Sequence, residues 1–131
     1  MLGVDTNVLV RYLMRDDQAQ FDAARRLIGR EASRDESVLV GLLVLLETEW
    51  VLRSRYKLAK VEILTAFSAL LETAELVFED EPAVEEALYS WKESTAEFAD
   101  CLIETRHRRL GCRATATFDS KALKLAGFIA A

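Results

Sequence analysis

The chain has 131 residues, of which 51% are apolar and 30% charged, and it carries a net charge of −5. That composition supports one soluble globular domain over residues 1–131, large enough to bury roughly two thirds of its unfolded surface. It argues against disorder and against a passive polyanion-binding module, and no apolar run reaches the ~18 residues of a membrane span.

Met1-Leu2-Gly3-Val4 reads as a first strand that runs straight into Asp5. No basic region precedes it, so no signal peptide is expected and the chain is read as cytoplasmic. Asn7 to Met14 has Val8, Leu9, Tyr12 and Leu13 at helical spacing. Asp16 or Asp17 can then cap a helix from Gln18 to Arg30, with Phe21, Ala24, Leu27 and Ile28 on one face. A short strand is predicted at Ser37 to Val40, followed by strongly apolar helices at Leu42 to Tyr56 and Lys60 to Thr73.

Ala74 to Phe78 reads as another strand, and Pro82 suits the first turn of a helix reaching about Glu93. Phe98 to Leu110 is predicted as a helix closed by Gly111. A strand at Ala114 to Phe118, a short helix at Ser120 to Ala126 and a last strand at Phe128 to Ala131 complete the chain. Strands alternating with helices imply a three-layer α/β/α domain with a mostly parallel central sheet. Cys101 and Cys112 have no CxxC spacing and read as two reduced thiols.

Among 22 acidic residues, a few sit where solvation alone does not explain them. Asp5 and Asp119 each end a predicted strand, where open parallel sheets place their ligand crevice. Asp119 is equally placed to cap the helix that follows. Glu47 has Leu43, Val44, Trp50 and Val51 as its helical neighbours, so it is either a site residue or part of a structural ion pair. Glu49 has Arg53 four residues on and is expected to pair with it at the surface. Asp100 sits near the start of an apolar helix, favourable either as an anion at a helix terminus or as a ligand. Glu97 precedes that helix as a candidate cap, and Glu97, Asp100 and Glu104 share one helical face.

Val4-Asp5-Thr6-Asn7-Val8-Leu9-Val10 resembles the opening motif of PIN-domain nucleases, particularly the VapC-type toxins of toxin–antitoxin pairs. Leu45-Leu46-Glu47-Thr48-Glu49-Trp50-Val51-Leu52 is similar to that family's second acidic segment. Glu97-Phe98-Ala99-Asp100-Cys101-Leu102 is similar to its third, and Thr117-Phe118-Asp119 to its fourth. The four segments occur in order over nearly the whole chain. The resemblance implies that Asp5, Glu47, Asp100 and Asp119 are an acidic quartet binding Mg²⁺ or Mn²⁺. Glu97 departs from the Asp common among relatives.

A metal-dependent ribonuclease is then expected, hydrolysing phosphodiester bonds through a metal-activated water. Asp5 and Asp100 are the principal expected ligands, Asp119 completes the coordination, and Glu47 ligates through water or helps deprotonate the nucleophile. Asn7, Thr117 and Glu97 are candidates for orienting the carboxylates. Hard oxygen ligands suit these ions, and the single histidine, His107, excludes a His-pair ribonuclease. Arg106-His107-Arg108-Arg109 reads as a solvated basic face before an RNA-contacting one, and Arg11 as a surface residue before a phosphate contact. The wide apolar arcs of the two middle helices, with Leu45, Leu52, Ile63 and Leu70, suggest an interface. The resemblance implies an RNA substrate, a homodimer and a small antitoxin protein that blocks the site. Two alternatives remain: a non-catalytic RNA- or protein-binding PIN-like module, and an Asp-dependent phosphatase, whose second Asp is replaced here by Asn7.

Overall fold

The structure is a computed structural model that describes all residues, 1–131. The chain divides into two compact units, Met1–Glu79 and Asp80–Ala131. In the first, β1 (Leu2–Gly3), β2 (Val38–Val40) and β3 (Leu76–Phe78) form a parallel sheet in that order. Leu2 is in register with Val38, and Val38 with Leu76. Between the strands run α1 (Thr6–Leu13), α2 (Gln18–Ser33), α3 (Leu42–Ser54) and α4 (Lys60–Leu71). The apolar central strand reflects burial on both faces, as parallel sheets require: Val38 and Val40 are both buried.

The helix signals operate as read. Asp17 caps α2 by accepting from the Gln20 N–H at 3.0 Å, and Phe21, Ala24 and Ile28 are buried while Leu27 is half-buried. Helix α2 runs three residues past the expected end at Arg30, through Gly29 and on over Glu31, Ala32 and Ser33, none of these last three a glycine or proline. The apolar arcs of α3 and α4 have a different meaning from the one expected. Leu45, Leu52, Ile63 and Leu70 are all buried core residues and supply no argument for an interface. Exposed apolar groups on these helices are instead Leu43, Trp50 and Val61.

In the second unit, α5 (Glu81–Lys92) packs on α6 (Phe98–Arg109), and β4 (Thr115–Thr117) pairs in parallel with β5 (Phe128–Ala130). Ala83, Val84, Ala87 and Trp91 face Phe98, Cys101 and Leu102 as its buried core, with the Trp91 and Phe98 rings 5.2 Å apart. Pro82 stands in the first turn of α5, and Gly111 takes φ 99° just beyond α6, a conformation only glycine adopts without strain. The helix expected at Ser120 to Ala126 is a single 3₁₀ turn, Ala122–Lys124. All strand pairs are parallel, so the fold is of the α/β class expected.

Candidate functional site

Asp5 leaves β1 in an extended conformation and caps α1, its Oδ1 accepting from the Val8 N–H at 3.0 Å. The Val4 N–H donates to the Leu39 carbonyl at 3.2 Å, so the acid is held by the sheet on one side and the helix on the other. Helix α3 follows its cap residue Gly41, and its first N–H, that of Leu42, donates to the Glu79 carboxylate at 3.0 Å. One and a half turns on, Glu47 is exposed rather than set into an apolar face. Its neighbours Leu43 and Trp50 are 81% and 50% exposed, so the desolvation argument from the sequence does not apply to it. The withdrawn acid on this helix is Glu49, only 2% exposed, whose pairing with Arg53 at 2.8 Å is as expected but is not a surface contact on the acid's side.

Asp5 and Glu47 nevertheless line one recess, of about 660 Å³. Arg11, Trp50, Arg55 and Tyr56 line it with them. Arg11 is more than a surface residue: its guanidinium donates to Asp16 at 3.1 Å and to the Tyr56 hydroxyl at 3.2 Å. The Tyr56 hydroxyl in turn donates to Asp16 at 2.8 Å. That hydrogen bond is the main reason the Asp16 carboxyl lies below its ordinary range, with Arg11 adding to it and desolvation opposing it. Arg11 was weighed in the sequence, but Trp50, Arg55 and Tyr56 were missed as recess residues, although Trp50 stands one helical turn from Glu47 and Arg55 two.

The second unit holds Asp100 and Asp119. Asp100 is half-buried in the first turn of α6, and its carboxyl is pushed up. Burial is the largest cause, then the charges of Asp119 and Glu97, with a backbone hydrogen bond at Glu97 acting the other way. Asp119 is exposed just beyond β4 and does not cap a helix; Lys121 takes that position. Its Oδ1 accepts from the Lys121 N–H at 2.9 Å, and its own N–H donates to the Thr117 hydroxyl at 2.9 Å. Thr117 therefore braces the turn that carries the acid. Glu97 stands at the cap position of α6 but makes no capping hydrogen bond; it lies 3.9 Å from the Lys121 ammonium.

Two other expectations change. Glu104 is engaged by Arg108 at 3.1 Å and is packed against Gly127, so it does not join Glu97 and Asp100 as a free oxygen donor. The basic run on α6 is partly the solvated face expected, since Arg108 and Arg109 are exposed, but each of its arginines is also paired with an acid. Arg106 and Arg109 each bind Asp80 at 2.7 Å, Arg108 binds Glu104 and Glu86, and His107 Nδ1 lies 2.9 Å from the Thr115 hydroxyl. Cys101 is buried and Cys112 exposed, and the two form no disulfide with each other.

No three acidic, histidine or cysteine side chains are gathered closely enough to hold a metal ion as they stand. What the structure brings together is two pairs: Asp5 with Glu47 on one recess, and Asp100 with Asp119 near enough for their charges to interact. Asn7 lines the recess as well.

No curated protein matches the chain significantly. The family model described as PIN domain does match, over residues 3–128. The match takes in both units and every acid discussed above, and it carries a nuclease-type α/β/α fold with it. On that coverage, the chain belongs to the PIN domain family.

Proposed function

We propose that this protein is a metal-dependent endoribonuclease and acts as the toxin of a type II toxin–antitoxin pair. The family match over residues 3–128 carries the reading, because it spans four acidic segments in the order a PIN nuclease needs. Asp5, Glu47, Asp100 and Asp119 are the residues that would hold Mg²⁺ or Mn²⁺, with Asn7, Thr117 and Glu97 orienting them. The donor chemistry fits: all four are hard carboxylate oxygens. Asp100, half-buried beside like charges, is an acid whose environment favours taking up a cation or a proton.

When bound, such an ion neutralises phosphate charge and makes water more acidic. The chain's own part is positional. The Val8 N–H fixes one oxygen of Asp5, and the Thr117 hydroxyl fixes the turn at Asp119. His107, beside Thr115, leaves no histidine pair for acid–base cleavage.

An antitoxin protein and a second copy of the chain are the proposed partners, supported by the likeness to VapC-type toxins and by exposed Leu43, Trp50 and Val61. A cytoplasmic setting is proposed with them; no helix is long and apolar enough to cross a membrane. A binding-only PIN module is the second reading, favoured by the lack of three gathered ligands.

One experiment separates the two. Purified protein is incubated with total RNA in Mg²⁺, Mn²⁺ or EDTA, beside Asp5→Asn and Asp100→Asn, and each form is expressed alone in cells. Cleavage and growth arrest by the wild type only, abolished by EDTA, is the expected result. Mutants as growth-inhibitory as wild type, with no cleavage in either metal, would establish the binding-only reading.

A further inference from the structure

Helices α5 and α6 pack on each other, and the outer side of their seam opens as a second recess, of about 390 Å³. Helix α5 contributes Glu85, Glu86 and Tyr89 to it, at the three- and four-residue spacing that puts side chains on one face. Helix α6 contributes Glu104, Thr105 and Arg108 in the same way. None of these residues belongs to either acid pair described above. Arg108 answers two of the carboxylates, Glu104 at 3.1 Å and Glu86 at 3.4 Å, which leaves Glu85 exposed and without an ion pair. Three carboxylates facing one guanidinium leave negative charge in excess. Tyr89 stands beside them with 70% of its surface exposed. Thr105 is the opposite, only 1% exposed, and its hydroxyl makes no hydrogen bond. Thr48, Thr65 and Thr73 each donate to the carbonyl four residues earlier in their helices, and Thr105 does not. Buried polar groups are almost always satisfied, and the recess is where this hydroxyl can still meet a partner.

We propose that this recess docks an arginine side chain carried by a partner protein. The uncompensated carboxylates call for a cation, and the exposed face of Tyr89 attracts one through its ring. The Thr105 hydroxyl adds an acceptor for an entering N–H. A planar guanidinium can use all three together, stacking on the ring while its fork of N–H groups meets the oxygens. The compact, strongly hydrated ammonium of lysine is a poorer match. Charge argues against RNA at this place, because the excess of carboxylates repels phosphate. The exposure of Glu85 and Tyr89 leaves the recess open on its outer side, which suits a side chain reaching in from a polypeptide better than a small free cation. The inference is independent of the nuclease reading, since it uses none of the four acids assigned there.

The test uses the intact, isotope-labelled protein and a blocked hexapeptide with one central arginine among glycines and serines, followed by NMR amide shifts. Companion peptides replace the arginine with lysine or with citrulline, its uncharged counterpart, and spermidine is titrated separately. Expected are saturable shifts at Glu85, Tyr89 and Thr105 with the arginine peptide, smaller ones with lysine and none with citrulline. Tyr89→Ala should weaken binding about 2- to 5-fold, the share of an exposed cation–π contact. Thr105→Val should weaken it as well. Arg108→Gln should tighten it, because the cation that competes for Glu86 and Glu104 is gone. Circular dichroism confirms that each variant folds.

Equal binding of the citrulline peptide, or shifts centred away from α5 and α6, would overturn the proposal. Unchanged affinity in folded Tyr89→Ala and Thr105→Val would do the same, since attraction to an acidic surface at large needs neither residue. So would tighter binding of spermidine than of the peptide, which would make the occupant a polyamine. The same amides shifting with protein concentration alone would also overturn it, because a second copy of the chain would then cover the recess.

Discussion

Asp80 and Asp100 belong to the same unit, and both are partly withdrawn from water, yet their surroundings are opposite. Asp80 is met by two guanidinium groups, from Arg106 and Arg109, each at 2.7 Å. Asp100 is met by the negative charges of Asp119 and Glu97. Two arginines converging on one carboxylate form a structural clamp, and its position just before α5 ties α6 to the start of its neighbour. No arginine pairs with Asp100, Asp119 or Glu97; the cation that meets them is the Lys121 ammonium, 3.9 Å from Glu97. The same stretch of chain thus neutralises one acid with two of its own arginines and leaves another beside like charges, the difference expected between an acid that holds the fold and one that, under the proposed function, holds a cation.

Breaking each side of this contrast should have different consequences. The largest effect is expected on cleavage: Asp100→Asn should slow RNA hydrolysis in Mn²⁺ by more than the roughly 100-fold that loss of a supporting group behind a metal ligand costs. Its melting temperature should stay level or rise, because a charge is removed from among like charges. A large fall in melting temperature would place Asp100 in the structural class with Asp80.

Asp80→Ala should do the converse, costing about 2–3 kcal/mol in urea unfolding. That is less than a fully buried pair, since both arginines are about one-third exposed. Part of the loss is conformational, because Asp80 takes φ 52°, which Asp tolerates better than Ala. Asp80→Asn keeps the backbone preference and should lose less.

Glu104 extends the comparison to a third acid, neutralised by Arg108 and pressed against Gly127. A methyl group at position 127 would collide with the Glu104 side chain, so Gly127→Ala should cost about 1 kcal/mol in thermal unfolding. Adding Glu104→Ala should recover most of it, as a double-mutant cycle would register.

The smallest effect concerns pH. The Tyr56 hydroxyl, more than Arg11, holds the Asp16 carboxyl low. A lowered carboxyl contributes stability that is present above its ordinary value and is lost as pH falls through the depressed one. Tyr56→Phe should therefore narrow the difference in urea midpoint between pH 7 and pH 3.

How far the sequence could be read depends on the range of the interaction involved. Caps and stops are local, and Asp17, Pro82 and Gly111 perform the roles their positions implied. The Glu49–Arg53 pair was legible because four residues make one helical turn. Its burial was not, because α3 is apolar nearly all round and its pattern does not say which side meets the core. The same ambiguity made exposed Glu47 look buried, and core residues Leu45 and Leu52 look like an interface. Contacts spanning distant segments left no local trace at all. Arg11 reaches Tyr56 across 45 positions, and Arg109 reaches Asp80 across 29.

Asp5 caps α1, and under the proposed function it also holds a cation; the two duties differ in what they demand of the side chain. Capping the Val8 N–H asks only for an oxygen, and asparagine serves there as well as aspartate. Holding a cation asks for the charge. A single substitution to asparagine would therefore, under the proposed function, remove the chemistry while sparing the fold and the recess, and selection for folding alone would not remove such a variant.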